Sequence, residues 1–118
     1  MPSAEPPLHQ DILYPSHYPE ENPYFHPIAR FLSQQLQIQP VKAFDYAEFQ
    51  GLVVVSYYLC EQSGLINRLV VLDEQARVLL HETMASDLPG VGQATFLIRR
   101  GSLIFVREKK ELVSYRLN

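Results

Sequence analysis

Beyond Val41 the hydrophobic positions fall into short runs, rich in β-branched and aromatic residues and broken by turn chemistry roughly every ten residues. That texture predicts a meandering antiparallel sheet. Seven strands are expected: Lys42–Phe49, Leu52–Cys60, Asn67–Asp73 and Arg77–Met84, then Thr95–Arg99, Ser102–Arg107 and Glu111–Leu117. Gly51, Gln62-Ser63-Gly64 and Asp73-Glu74-Gln75-Ala76 reverse the chain within the first four, and Ser86–Gln93, with Pro89, Gly90 and Gly92, forms a longer loop before the last three. Arg100-Gly101 and Glu108-Lys109-Lys110 are short enough for hairpins.

Before Val41 the periodicity is different. Ile28, Phe31, Leu32 and Leu36 recur at helical spacing opposite Arg30, Ser33, Gln34 and Gln37, which predicts one helix over 27–38. Pro27 suits its first position, where a missing N–H is harmless, and Ile38-Gln39-Pro40 ends it because Gln39 precedes a proline. Six of the nine prolines lie in residues 1–26, and Pro15, Pro19 and Pro23 continue to Pro27 at a spacing of four. Each fixes φ and removes a backbone donor, so no helix or central strand can run there. With Tyr14, Tyr18, Tyr24 and Phe25 between them, the segment reads as an extended arm wrapped on an apolar surface, frayed over residues 1–10.

Composition fits this picture without adding a function. The 118 residues are 47% hydrophobic and 19% charged, enough for one domain with a single core. One cysteine, Cys60, allows neither an internal disulfide nor a zinc ribbon, and a cytoplasmic location is the default. The N-terminus lacks the basic start and apolar stretch of a signal peptide, and Leu52–Cys60 is too short to span a bilayer, so no membrane association is expected. The net charge of −3 is unevenly spread. Residues 1–93 carry four basic against eleven acidic side chains, and residues 94–118 six basic against two acidic. Pairing of these opposite fields within one fold is the plain reading, and a basic surface for an acidic partner the sharper one.

Candidate chemistry is sparse, and no catalytic, cofactor-binding or metal-binding residue is assigned. His9, His17 and His26 lie in the arm, His17 and His26 with no cysteine or carboxylate at ligand spacing, and His81 reads as a partly exposed strand histidine. Cys60 closes the most apolar strand, where a thiol is usually a small buried hydrophobe, and Glu61 beside it would not activate it. Asp45, Glu48, Glu61, Asp73, Glu74 and Asp87 are expected mostly at turns and strand ends. Ser56 and Ser102 lack a nucleophile-elbow setting, and Gly90-Val91-Gly92 lacks the lysine of a phosphate cradle. The basic residues of the last strands alternate with Phe96, Phe105 and Tyr115, which could in principle stack bases. Those rings should face the core and no nucleic-acid motif is present, so nucleic acid is not the expected partner.

The two β regions rhyme. Arg68–Glu82 runs strand, acidic turn, strand, and Thr95–Leu117 runs strand, glycine turn, strand, charged turn, strand. This resembles the blade grammar of β-propellers. Through "YPEENPYF" (Tyr18–Phe25), "VVSYYL" (Val54–Leu59), "LVVLDE" (Leu69–Glu74) and "SLIFV" (Ser102–Val106), the chain also resembles the C-terminal part of an uncharacterised bacterial family of propeller-like proteins. The resemblance implies a fold and no activity. The expected class is mainly β: an antiparallel four-stranded blade-like meander over about 41–85, a three-stranded one over 94–118 as a partial propeller, one N-terminal helix and the proline-rich arm. A compact two-sheet sandwich or curved sheet with the helix as a lid is the structural alternative.

A propeller needs at least four blades, and this chain holds material for fewer than two. The last strand should therefore expose an unpaired edge and an apolar face, to be covered by the arm, the helix, a second copy or a larger protein. The expected function is a non-enzymatic protein-interaction or structural module, with self-association possible in principle and no cofactor. Its expected surface is Arg99, Arg100, Arg107, Lys109, Lys110, Leu112, Val113, Tyr115 and Arg116. The alternative is a small-ligand binder or enzyme with a pocket between sheet and helix, built from Tyr46, Tyr57, His81 and nearby acids.

Overall fold

A computed structural model of the chain describes residues 12–92 and 94–118. His9 and the expected fraying of residues 1–10 lie outside the described residues. In chain order the elements are β1 (Ile12–Leu13), β2 (Ser16–Pro19), α1 (Phe25–Leu36), β3 (Val41–Phe49), β4 (Leu52–Glu61), β5 (Gly64–Leu72), β6 (Val78–Leu88), β7 (Phe96–Arg99), β8 (Ser102–Arg107) and β9 (Glu111–Arg116). They form two open antiparallel sheets, one in the order β2-β3-β4-β5-β6 and the other β1-β7-β8-β9. All seven expected strands are present, four in one sheet and three in the other. The arm adds a short strand to each, and both sit at sheet edges, where proline is tolerated.

The strand boundaries move where pairing continues past the turn signals. Gly64, Leu65 and Ile66 join β5 because they pair with Glu61, Cys60 and Leu59 of β4. On the far side β6 runs on to Leu88 opposite Leu65, through two register irregularities, so the expected loop at Ser86 begins later. The two-residue turn Arg100-Gly101 has φ of 51° and 82°, the left-handed pair that suits the twist of a tight hairpin.

The helix also starts earlier than expected, at Phe25 rather than Pro27. All N–H groups of a first turn lack intrahelical acceptors, so Pro27 is tolerated as its third residue. Starting earlier buries Phe25, whose ring stacks on Phe44 with centroids 4.7 Å apart. The C-terminal end comes at Leu36, where Gln37 turns left-handed and its N–H reaches the Ser33 carbonyl at 2.9 Å.

Three layers result, with a core in each gap. Between α1 and the five-stranded sheet pack Phe25, Leu32, Phe44, Val55, Tyr57, Val70 and Leu72. Between the sheets, Ala47, Val54, Leu69, Val71 and Met84 meet Phe96, Ile98, Leu103, Phe105 and Val113. The unbroken run Val54–Tyr58 is buried throughout because β4 is central and covered on both faces, as such runs require. Among the described residues no helix is long and apolar enough to cross a membrane.

Candidate functional site

Two polar stitches hold the sheets together and define the space between them. The first is Asp45, in the middle of β3 within the expected strand Lys42–Phe49, facing the other sheet and 1% exposed. Its Oδ2 accepts from the N–H and the hydroxyl of Thr95 at 2.8 and 2.6 Å, and Oδ1 accepts from His17 Nδ1 at 2.7 Å. His17 sits opposite Asp45 across the β2–β3 ladder, so one buried carboxylate ties arm, sheet and the entry to β7. Three donors on one carboxylate satisfy it, which is a structural use of the group.

The second stitch is Glu82 on β6. Its Oε1 accepts from Arg107 Nη1 of β8 at 2.5 Å, and its Oε2 from the Tyr115 hydroxyl of β9. Arg107 also forks onto Glu111 at 3.2 and 3.1 Å. These two carboxylates raise the guanidinium's pKa, Glu111 most, and the Arg107 pairing holds the Glu111 carboxyl below its usual range. Tyr115 is pushed up by its bond to Glu82. Here the basic C-terminal strands do pair with an acid of the earlier region.

Beside these stitches lies an open cleft of about 630 Å³ between the β6–β7 connection and strands β7–β9. Its walls are apolar, from Leu88, Pro89 and Val91 on one side to Leu97, Ile104, Val106 and Leu112 on the other. Tyr58, Asn67 and Thr95 supply side-chain polarity, and Lys109 is the one charged side chain among the described lining residues. The Tyr58 hydroxyl accepts from the Gly92 N–H at 2.8 Å, fixing the connection over the cleft, and burial pushes the phenol's pKa up. Asn67 Nδ2 donates to Ser56 Oγ at 2.8 Å and to the Tyr57 carbonyl at 3.0 Å, an arrangement that sets the amide's orientation. The hairpin tip bearing Lys109 is tied to β6 by the Glu108 N–H on the Met84 carbonyl, 2.6 Å.

The residues expected to form an interaction surface separate into two groups. Arg99, Arg100, Lys109, Lys110, Leu112 and Arg116 are exposed, and Arg116 Nε reaches Asn118 Oδ1 at 3.1 Å. Val113 instead points into the inter-sheet core at 9% exposure, and Arg107 and Tyr115 are engaged by Glu82. Phe96 and Phe105 face that core as well. Strand alternation accounts for this: Val106 pairs with Leu112 on the outer face, while Phe105 pairs with Val113 on the inner one.

The expected pocket between sheet and helix is not assembled. Tyr46 lines a cavity of about 260 Å³ under α1, without Tyr57 or His81. The Tyr46 hydroxyl goes to Glu48 Oε2 at 2.7 Å, and its pKa is raised, chiefly by burial. Tyr57 is fully buried and its hydroxyl meets His81 Nε2 at 2.6 Å. Burial raises the phenol's pKa despite the Arg68 cation beside it, so the hydroxyl keeps its proton in this hydrogen bond. Among the described residues no carboxylate bonds to either. Cys60 is exposed rather than buried, because the end of β4 projects beyond both cores. Among the described residues no group of His, Cys, Asp and Glu is placed to hold a metal ion.

Sequence reasoning missed the cleft. Its clue was Asn67, a lone amide within the apolar run Leu65–Leu72, which needs a polar partner wherever it is buried. Comparison with known proteins adds no relative: no family model, curated protein or solved structure matches the chain.

Proposed function

We propose that the chain is a non-enzymatic protein-interaction module of β-propeller type, akin to the C-terminal part of the propeller-like bacterial family it resembles. The carrying observation is the outer face of the four-stranded sheet. There Leu97 pairs with Ile104 and Val106 with Leu112, the last two 50% and 73% exposed. The same sheet ends at β9, whose far edge pairs with no strand among the described residues. An apolar face beside an open edge is a place for another chain to pair. In a propeller that face carries the next blade.

Strand order supports the propeller reading. β3–β6 and β7–β9 are each a meander, and the two are stitched together: β3 meets the entry to β7 through Asp45, and β6 meets β8 and β9 through Glu82. One feature departs from it. β1 and β2 pair on the edges of β7 and β3, which in a ring of blades would face the axis.

The partner is a protein, and a second copy is the form to test first. Sedimentation velocity over a hundredfold concentration range should show association that Val106→Lys with Leu112→Lys abolishes, while circular dichroism stays unchanged. A wild-type chain that remains monomeric throughout, with these substitutions altering nothing, overturns the reading of this face as an interface.

A further inference from the structure

Beyond that reading, we infer that the cleft between the β6–β7 connection and strands β7–β9 is a binding site for a small apolar carboxylate, a medium-chain acid of the decanoate type. Size admits it: about 630 Å³ lies within the range of roughly 300–1,000 Å³ usual for small-molecule sites. Chemistry narrows it. The walls offer side chains that only an apolar body would favour, chiefly Leu88, Val91, Leu97 and Ile104. Lys109 makes no hydrogen bond or ion pair with the described residues, its neighbour Glu108 included, and Glu111 at the start of the last strand is spent on Arg107. An unspent cation at the edge of an apolar cleft is matched by one anionic group on an otherwise apolar molecule.

The backbone prepares this arrangement. Glu108 and Lys109 are consecutive non-glycine residues in the left-handed region, φ 52° and 64°, and the bond from Glu108 N–H to the Met84 carbonyl holds the tip at the cleft.

The floor supplies a second, independent observation. Asn67 is 5% exposed, and with both amide protons engaged its Oδ1 takes no donor from the described residues. Tyr58 is 2% exposed and accepts from Gly92, while its own proton has no acceptor among them. Buried polar groups left like this are satisfied by water or ligand. One free acceptor and one free donor on the same cleft floor each suit a hydroxyl, so a hydroxylated chain should bind more tightly than a plain one.

Isothermal titration calorimetry with decanoate, decanol and decylammonium, each below its micelle concentration, tests the site. Decanoate should bind best, and Lys109→Gln should weaken it about tenfold, the size of one charge-assisted contact, while leaving decanol unchanged. Ile104→Trp should block both, with far-ultraviolet dichroism preserved. Amide shifts induced by decanoate should centre on Gly92, Thr95 and Leu97. Equal affinity for the three amphiphiles, indifference to Lys109→Gln, or shifts centred elsewhere each overturn the assignment. Leu97, Ile104, Val106 and Leu112 line both the cleft and the proposed interface, so the titration is made at a concentration where sedimentation shows monomer. Lys109→Gln leaves that face apolar, which keeps failure here separable from failure of the association test.

Discussion

Asp45 shows how much a single buried group can hold. Its carboxylate takes three donors from β2 and from the entry to β7, none of which has another acceptor among the described bonds. Asp45→Ala would strand the Thr95 N–H and hydroxyl, at a cost of about 2–4 kcal/mol, with Asp45→Asn retaining part of it. Urea denaturation of the two variants checks the ranking, and equal loss from both would deny the carboxylate its role. His81 is the titratable counterpart. Its pKa is depressed by burial first and by Arg68 second, so the native state prefers neutral imidazole. That preference contributes fully above the unfolded pKa, about 6.5, and is lost as pH falls through the lower folded value. His81→Gln keeps an acceptor for Tyr57 and removes the proton. Between pH 7.5 and 5.5 its urea midpoint should drop less than that of the native sequence. Asp73, whose carboxyl is lowered chiefly by the Arg77 N–H, acts only at more acid pH and leaves that window clean.

At the scale of elements, the helix depends on burial rather than on capping. Tyr24 offers no side-chain cap, and no acid stands in the first turn nor base in the last. Leu32, fully buried under the five-stranded sheet, therefore anchors it, and Leu32→Ala should cost about 2–5 kcal/mol in thermal or urea unfolding. Gln37 closes the helix in the left-handed region at φ 58°, so Gln37→Gly should stabilise by up to about 1 kcal/mol. Gly101 makes the opposite case. At φ 82° in the β7–β8 turn, a Cβ would lie 2.5 Å from Asn118 Oδ1, and Gly101→Ala should destabilise the hairpin.

For the whole molecule, stability is graded across the layers. β4 and β5 are paired on both sides and packed on both faces, whereas β9 ends its sheet with one covered face. Native-state hydrogen exchange should find Val54–Tyr58 the slowest and the residues of β9 the fastest among the long strands. Protection of β9 that rises with protein concentration would be the signature of the proposed interface. Uniform protection across both sheets would contradict the grading.

Local chemistry determined the elements and left their assembly open. Period-two alternation in Glu111–Arg116, the turns at Gly51 and Gly101 and the helical stripe Ile28–Leu36 act between near neighbours, so the strands and helix were legible one by one. The continuous run Val54–Tyr58 announced a strand covered on both faces, though not by what. Pairing of Ile12–Leu13 and Ser16–Pro19 with strands far along the chain was hidden, because edge pairing leaves little trace in a proline-rich segment. So were the burial of Asp45, the inward turn of Val113 and the convergence of Tyr58, Asn67 and Lys109 on one cleft. Those depend on which surfaces meet across the sheets, and a linear sequence carries no record of distance between residues dozens of positions apart until the fold brings them together.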